Sequence, residues 1–274
     1  ISLFAARRLV VFGLRAEPGI WRRLIREGAP LAVVTSASVL MFRSDSVMLA
    51  ILQPPAEVGL YGVPVKVLDA FMGIVMLFVG LFAPLLAHSA KADQAVFRQH
   101  LRNGLDTLTL GTVAVGVGMV ALAPELIAIL AGPAFLDAVP ILYVLAWVMV
   151  LHGVALLLRE AATALAIQRR LLPGFLAALA VALTGHALLI PSLSGLGAAL
   201  ALLLAEIVMV AWVVWVVVRA AAGPSILRVS AIALVAGLVS SFVTVWLQTQ
   251  GYGLVVRAAA AGLVYLALVL GSGA

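Results

Sequence analysis

The chain holds 274 residues, 65% of them apolar and 10% charged, with 17 basic residues against 11 acidic and a mean hydropathy of +1.24. Soluble domains average about 45–50% apolar and about 25% charged residues. This chain has too little polar surface to coat a globule, which argues against a water-soluble enzyme, a nucleic-acid-binding domain or a disordered tail. The net charge of +6 then reads as a topology signal, and the absence of cysteine removes disulfides, a thiolate nucleophile and thiolate metal sites.

Residues 1–14 (ISLFAARRLVVFGL) are too short to span a bilayer and read as the tail of a preceding helix, so the sequence is expected to start inside a longer protein. Residues 16–27 place Ile20, Trp21, Leu24 and Ile25 on one helical face and Arg22, Arg23 and Arg26 on the other. Pro18 can open that helix, and the pattern suits either a helix lying in the cytoplasmic membrane interface or a solvated basic linker. A spanning helix needs about 20 mostly apolar residues. Eight such segments follow, at 29–52, 60–87, 105–123, 139–165, 172–191, 196–218, 225–248 and 252–272. They are apolar all round, unlike the short alternating strands of a membrane barrel. The expected fold is all-α, a polytopic membrane bundle of about eight transmembrane helices.

The connecting segments alternate in charge. Arg7, Arg8, Arg15, Arg22, Arg23 and Arg26 precede the first span, and the next turn, 53–59, has no basic residue. Lys91, Arg98 and Arg102 lie in 88–104, none in 124–138, and Arg169 and Arg170 follow, with Arg159 close by. The turn at 191–195 has none, 219–228 carries Arg219 and Arg228, and 247–253 has none. Cytoplasmic loops are enriched in Lys and Arg, so both ends of the chain are expected to be cytoplasmic. Gly111, Ala114 and Gly118 form a stripe of small residues that would allow close helix packing.

Ionisable groups inside a membrane are costly and are functional candidates by default. A rise of about 1.5 Å per residue puts Asp45 and Lys66 roughly 10 and 9 Å inward from the outer ends of their spans, and Arg43 and Asp69 each roughly 13 Å inward. Two opposite-charge pairs, Asp45–Lys66 and Arg43–Asp69, are therefore expected on adjacent antiparallel helices. They would either brace the helices or line a water-filled cavity with Arg43 or Lys66 facing an anionic substrate. Glu206 falls near the midplane of its span, a candidate for proton coupling or for a hydrogen bond that packs two helices. His152 and His186 are isolated, and no metal site or cofactor motif is apparent. Arg257 lies near an outer helix end, from which it can snorkel to the interface, and Arg159 and Glu160 fall near the cytoplasmic boundary.

Phe42-Arg43-Ser44-Asp45, then Glu57-Val58-Gly59-Leu60-Tyr61, then Lys66 resemble the polysaccharide-biosynthesis flippases, the Wzx-like lipid-linked oligosaccharide flippases of the MOP superfamily. Gly28-Ala29-Pro30-Leu31, the turn from Gly132 to Ala138, and Ile190-Pro191, Gly195-Leu196-Gly197-Ala198-Ala199 and Glu206 follow the same family order over about residues 28–210. Pro64 departs from it, standing where the family has small residues. The resemblance implies the C-terminal half of a two-lobed carrier. Residues 1–28 would be a helix tail and interfacial linker, 29–223 the second six-helix lobe, and 224–274 an added helix pair. The N-terminal lobe of the same protein, absent from this chain, would close the substrate cavity. The implied role is not enzymatic. It is the movement of a polyprenyl-diphosphate-linked oligosaccharide across the cell inner (cytoplasmic) membrane by alternating access. Its partners would be that lipid-linked substrate and membrane lipids, with no nucleic acid. Arg43, Asp45, Lys66 and Asp69 would line the cavity.

Three other readings stand beside it. A cation-coupled MATE-type exporter should carry more carboxylates than basic groups in its cavity. A polytopic glycosyltransferase or ligase should cluster acids or histidines in a long outer loop, and the outer turns here are short. A purely structural membrane subunit would use the charge cluster as neutral glue.

Overall fold

The computed structural model describes residues 18–222 and 227–272, so the segment 1–14 lies outside them. The helices are α1 (Pro18–Leu52), α2 (Pro55–Ala92), α3 (Gln94–Ala121), a short α4 (Ala123–Ala131), α5 (Val139–Ala164), α6 (Leu172–Val217), α7 (Arg228–Thr249) and α8 (Leu254–Gly271). Among the described residues there is no strand. Among the described residues six segments are long and apolar enough to cross a membrane, the longest being Gln168–Ala220.

That longest segment is two spans. Ser194 breaks the helix with φ 51° and ψ −129°, and the chain turns back on itself there. A Cβ at Gly197 would stand 2.3 Å from the Leu189 carbonyl oxygen, one at Gly185 2.9 Å from the Ala201 Cβ, and one at Gly174 2.3 Å from Trp212 Cδ1. The indole of Trp212 also donates to the Arg170 carbonyl at 2.9 Å. These contacts are mirror-related about residue 193, so α6 is an antiparallel hairpin with limbs 172–193 and 195–217. With α1 and both limbs counted, each of the eight expected spans coincides with a helix. Small residues let the limbs touch backbone to backbone. Gly197→Leu is therefore expected to lower stability by about 1–3 kcal/mol or more, since its side chain would meet a carbonyl and not a movable side chain; thermal unfolding in detergent measures it. The stripe expected to mediate close packing does not, because Gly111 and Gly118 have no neighbour within 4 Å of a Cβ position.

Residues 18–27 are likewise not a separate element. Pro18 opens a single 35-residue helix that runs unbroken through the first span. The helix continues through Gly28 and Pro30, although both residue types disfavour a helix interior.

The four turns that lack basic residues gather at one end of the bundle. Gln53 donates to the Ile190 carbonyl at 2.8 Å. Ser194 Oγ donates to Glu57 at 2.5 Å, and Gly195 packs on Tyr61 and Ile141. Tyr143 donates to Gln248 at 2.5 Å, and Arg257 pairs with Glu125. This clustering is what the charge alternation requires of loops on one side of a bilayer.

Helix α5 is the core of the bundle. It packs against α2, α3 and α6, and Leu142, Leu145, Ala146, Val148, Met149, Leu157 and Leu158 are fully buried. Helices α7 and α8 pack on each other and on α3. Polar contacts fasten them: Thr109 to Ser230 at 3.1 Å, and the Tyr265 hydroxyl donating to the Leu110 carbonyl at 3.0 Å. Arg257 does not snorkel as expected. It is 5% exposed, because Glu125 on α4 supplies a charge partner inside the bundle.

Candidate functional site

A cavity of ≈ 310 Å³ opens between α1, α2, α5 and the second limb of α6. Its apolar walls include Leu68, Met72, Met76, Leu156 and Leu202; its polar lining is Arg43, Asp45, Asp69, His152 and Arg159. Three of the four residues expected in a cavity are thus brought together, from two helices. They are joined by His152 and Arg159 from α5.

Arg43 meets Asp69 at the expected depth, but loosely. Both Nη atoms lie 3.4 Å from one carboxylate oxygen, and the two side chains are 59% and 52% exposed. Exposed ion pairs contribute about 0.2–1 kcal/mol, too little to brace two helices. Helix α1 in fact leans on α6, with only slight contact to α2. The pair is better described as a guanidinium held at a cavity wall by a contact that a stronger anion can displace.

The expected Asp45–Lys66 pair is not formed. Asp45 is 2% exposed, accepts from the Tyr61 hydroxyl at 2.6 Å and from its neighbour's backbone, Ser46 N–H, at 2.5 Å. Lys66 is exposed, does not line the cavity, and enters no ion pair among the described residues. The reason is azimuth. Tyr61 occupies the face of α2 that is buried, and Lys66, five residues on, lies about 140° around the helix from it at 100° per residue. Matched depth does not fix which way a side chain points.

Arg159 lines the cavity with its guanidinium 5.0 Å from the centroid of the Phe175 ring on the first limb of α6, a cation–π arrangement. Among the described residues no carboxylate lies within ion-pair distance of it. It stands seven residues beyond His152 on α5, roughly 10 Å along the axis. The cavity therefore has one guanidinium from α1 and one from α5.

His152 and Glu206 are partners across two helices. Nδ1 of the imidazole lies 3.0 Å from a Glu206 oxygen, with His152 8% and Glu206 0% exposed. They are 54 positions apart on different helices, and no spacing rule joins them. Their shared mid-span depth was the one signal that could have. His186 is also buried, with its Nδ1 3.3 Å from Ser44 Oγ, which ties α1 to the hairpin. Among the described residues no group of three or more metal-ligating side chains converges.

No protein-family model matches the chain, and no curated protein matches it. Solved structures that share its fold include the following three. One is described as the lipid II flippase MurJ in an inward closed conformation, with TM-score 0.67 and 15% identity over 97% of this chain and 57% of that one. Another is an outward-facing multidrug resistance MATE family transporter of the MOP superfamily, with TM-score 0.54 and 17% identity over 90% of this chain and 64% of that one. The third is a MOP superfamily transporter from Pyrococcus furiosus, described by the reversed polarity of its binding pocket, with TM-score 0.55 and 18% identity over 90% of this chain and 64% of that one. The chain has the fold of MOP-superfamily membrane carriers. It spans less than two thirds of the length of each of these three.

Proposed function

We propose that this chain is the cavity-bearing half of a membrane flippase that carries an anionic lipid head group, a polyprenyl-diphosphate-linked oligosaccharide, across the cytoplasmic membrane by alternating access. The observation that carries the reading is the pair Arg43 and Arg159 lining one cavity within a MOP-type bundle. A diphosphate cannot cross hydrocarbon bare. Arg offers a rigid fork of donors matched to phosphate oxygens, and Arg43 is restrained only by an exposed, displaceable contact. The prenyl tail would remain in lipid beside the apolar outer faces of the helices. A lobe missing from this chain would complete the cavity, and rocking of the two lobes would expose it to each side in turn.

The second reading is a cation-coupled exporter of MATE type. Asp45 and Asp69 in the same cavity, and the likeness to a multidrug transporter, favour it. Against it, Asp45 already accepts two hydrogen bonds and Asp69 faces Arg43. Farnesyl diphosphate and tetraphenylphosphonium separate the two readings when titrated into the purified chain in detergent. Farnesyl diphosphate is expected to bind, more weakly as salt rises, and the phosphonium is expected not to. Binding of the phosphonium alone would overturn the flippase reading in favour of the exporter.

A further inference from the structure

We propose that the end of the α6 hairpin away from Ser194 is a binding site for one anionic phospholipid of the surrounding bilayer, with Arg170 and Arg219 on its phosphate and Trp215 at the root of its acyl chains. The site lies outside the cavity, and it does not depend on what the cavity carries.

The two limbs bring these groups to one place. Trp212 Nε1 donates to the Arg170 carbonyl at 2.9 Å, which holds the start of the first limb against the end of the second. The Trp212 and Trp215 rings lie 5.1 Å apart, and the Arg219 guanidinium lies 4.6 Å from the centroid of the Trp215 ring. Arg169, Arg170, Trp215 and Arg219 are all exposed. Among the described residues no carboxylate lies within ion-pair distance of the three guanidiniums. A ring against the face of a guanidinium leaves its in-plane N–H donors available, so Arg219 is oriented and still able to meet an outside anion.

Depth matches a lipid. At about 1.5 Å per residue, Trp215 stands roughly 31 Å along its limb from Ser194, and Arg170 and Arg219 both stand roughly 36–37 Å from it. A hydrocarbon core is about 30 Å thick, and head groups add about 5–7 Å on each side. With the turn at Ser194 at one interface, Trp215 reaches the other, where an amphipathic indole is favoured. Both arginines then reach head-group level.

The face leading to them is apolar and uncovered in this chain. Leu204, Ile207, Ala211 and Trp215 are all exposed and follow at three- and four-residue steps, which puts them on one side of the helix, with Arg219 one turn beyond. A single stripe thus runs from acyl-chain surface through an indole to a cation. A water-soluble anion would meet the arginines but gain nothing from the stripe. Charge selects among lipids. A zwitterionic head group brings its own cation to the three guanidiniums, whereas the only charge of phosphatidylglycerol is its phosphate. Basic residues at the membrane surface favour anionic head groups by about fivefold each.

Arginines that served only as a topology signal would attract anionic lipid diffusely, whichever of them were removed. The chain has no cysteine, so Ala211→Cys carries a single fluorophore on the stripe. In phosphatidylcholine bilayers, phosphatidylglycerol with a nitroxide near the head of its acyl chain is titrated as the quencher, against phosphatidylcholine labelled in the same way. Phosphatidylglycerol is expected to half-quench at about a five- to twentyfold lower mole fraction. Arg170→Gln and Arg219→Gln should each remove about fivefold of that preference, whereas Arg98→Gln on α3 should remove less than about twofold. Equal quenching by the two lipids overturns the site. So does a preference that survives in the Arg170→Gln Arg219→Gln double variant, or one that Arg98→Gln lowers as much as Arg219→Gln.

Discussion

Arg43→Ala is expected to weaken binding of farnesyl diphosphate by roughly 10- to 150-fold, the loss that follows from about 1.5–3 kcal/mol for hydrogen bonds to a charged group. Arg159→Ala should fall in the same range, because among the described residues no carboxylate lies within ion-pair distance of its guanidinium, which rests on the Phe175 ring. Arg43→Lys should lie between, keeping the charge and losing the bidentate fork. If both residues grip one diphosphate, the double variant will depart from the sum of the single effects. Stability should hardly change on losing Arg43, since the pair with Asp69 is exposed on both sides. A brace would show the opposite pattern, with intact affinity and a clear drop in melting temperature. In the whole carrier, Arg43→Lys should express normally and export less surface glycan.

Arg257→Met is expected to cost about 3 kcal/mol. That is the lower end for breaking a buried ion pair, because Glu125 keeps 32% of its side chain exposed while Arg257 keeps 6%. The loss should appear as loosening of α7 and α8 from α3 and α4, read by thermal unfolding and by hydrogen exchange in those helices. Arg257→Met combined with Glu125→Leu should regain most of it, since an apolar pair of similar volume replaces the ions without leaving one uncompensated. A single variant as stable as the parent would mean that Arg257 reaches the interface after all.

The helices were legible in the sequence because lipid imposes one constraint: every span must be apolar over its whole length and must satisfy its own backbone. The charge alternation of the turns is equally direct, and the four basic-poor turns do meet at one end. The hairpin was visible as two spans flanking Pro191 to Gly195, although helical hydrogen bonding nearly hides the break. Depth along a helix could be counted from the sequence, which is why Arg43 and Asp69 were paired correctly. Azimuth could not, and it separates Lys66 from Asp45 and gives Asp45 to Tyr61. Nor could helix order in the bundle be read. Contacts that depend on α5 lying against α2 and α6, namely His152 with Glu206 and Arg159 in the cavity, have no signature in spacing. The same holds for Arg257, whose partner sits on a helix far away in sequence.

The central claim is that two guanidiniums from different helices grip one diphosphate. An experimental structure of the chain with farnesyl diphosphate bound tests it most directly. The account predicts the diphosphate between α1 and α5, with oxygens about 2.7–3.2 Å from nitrogens of both Arg43 and Arg159, and the Arg43–Asp69 contact opened. A head group bound elsewhere, with Arg43 still on Asp69, would contradict it.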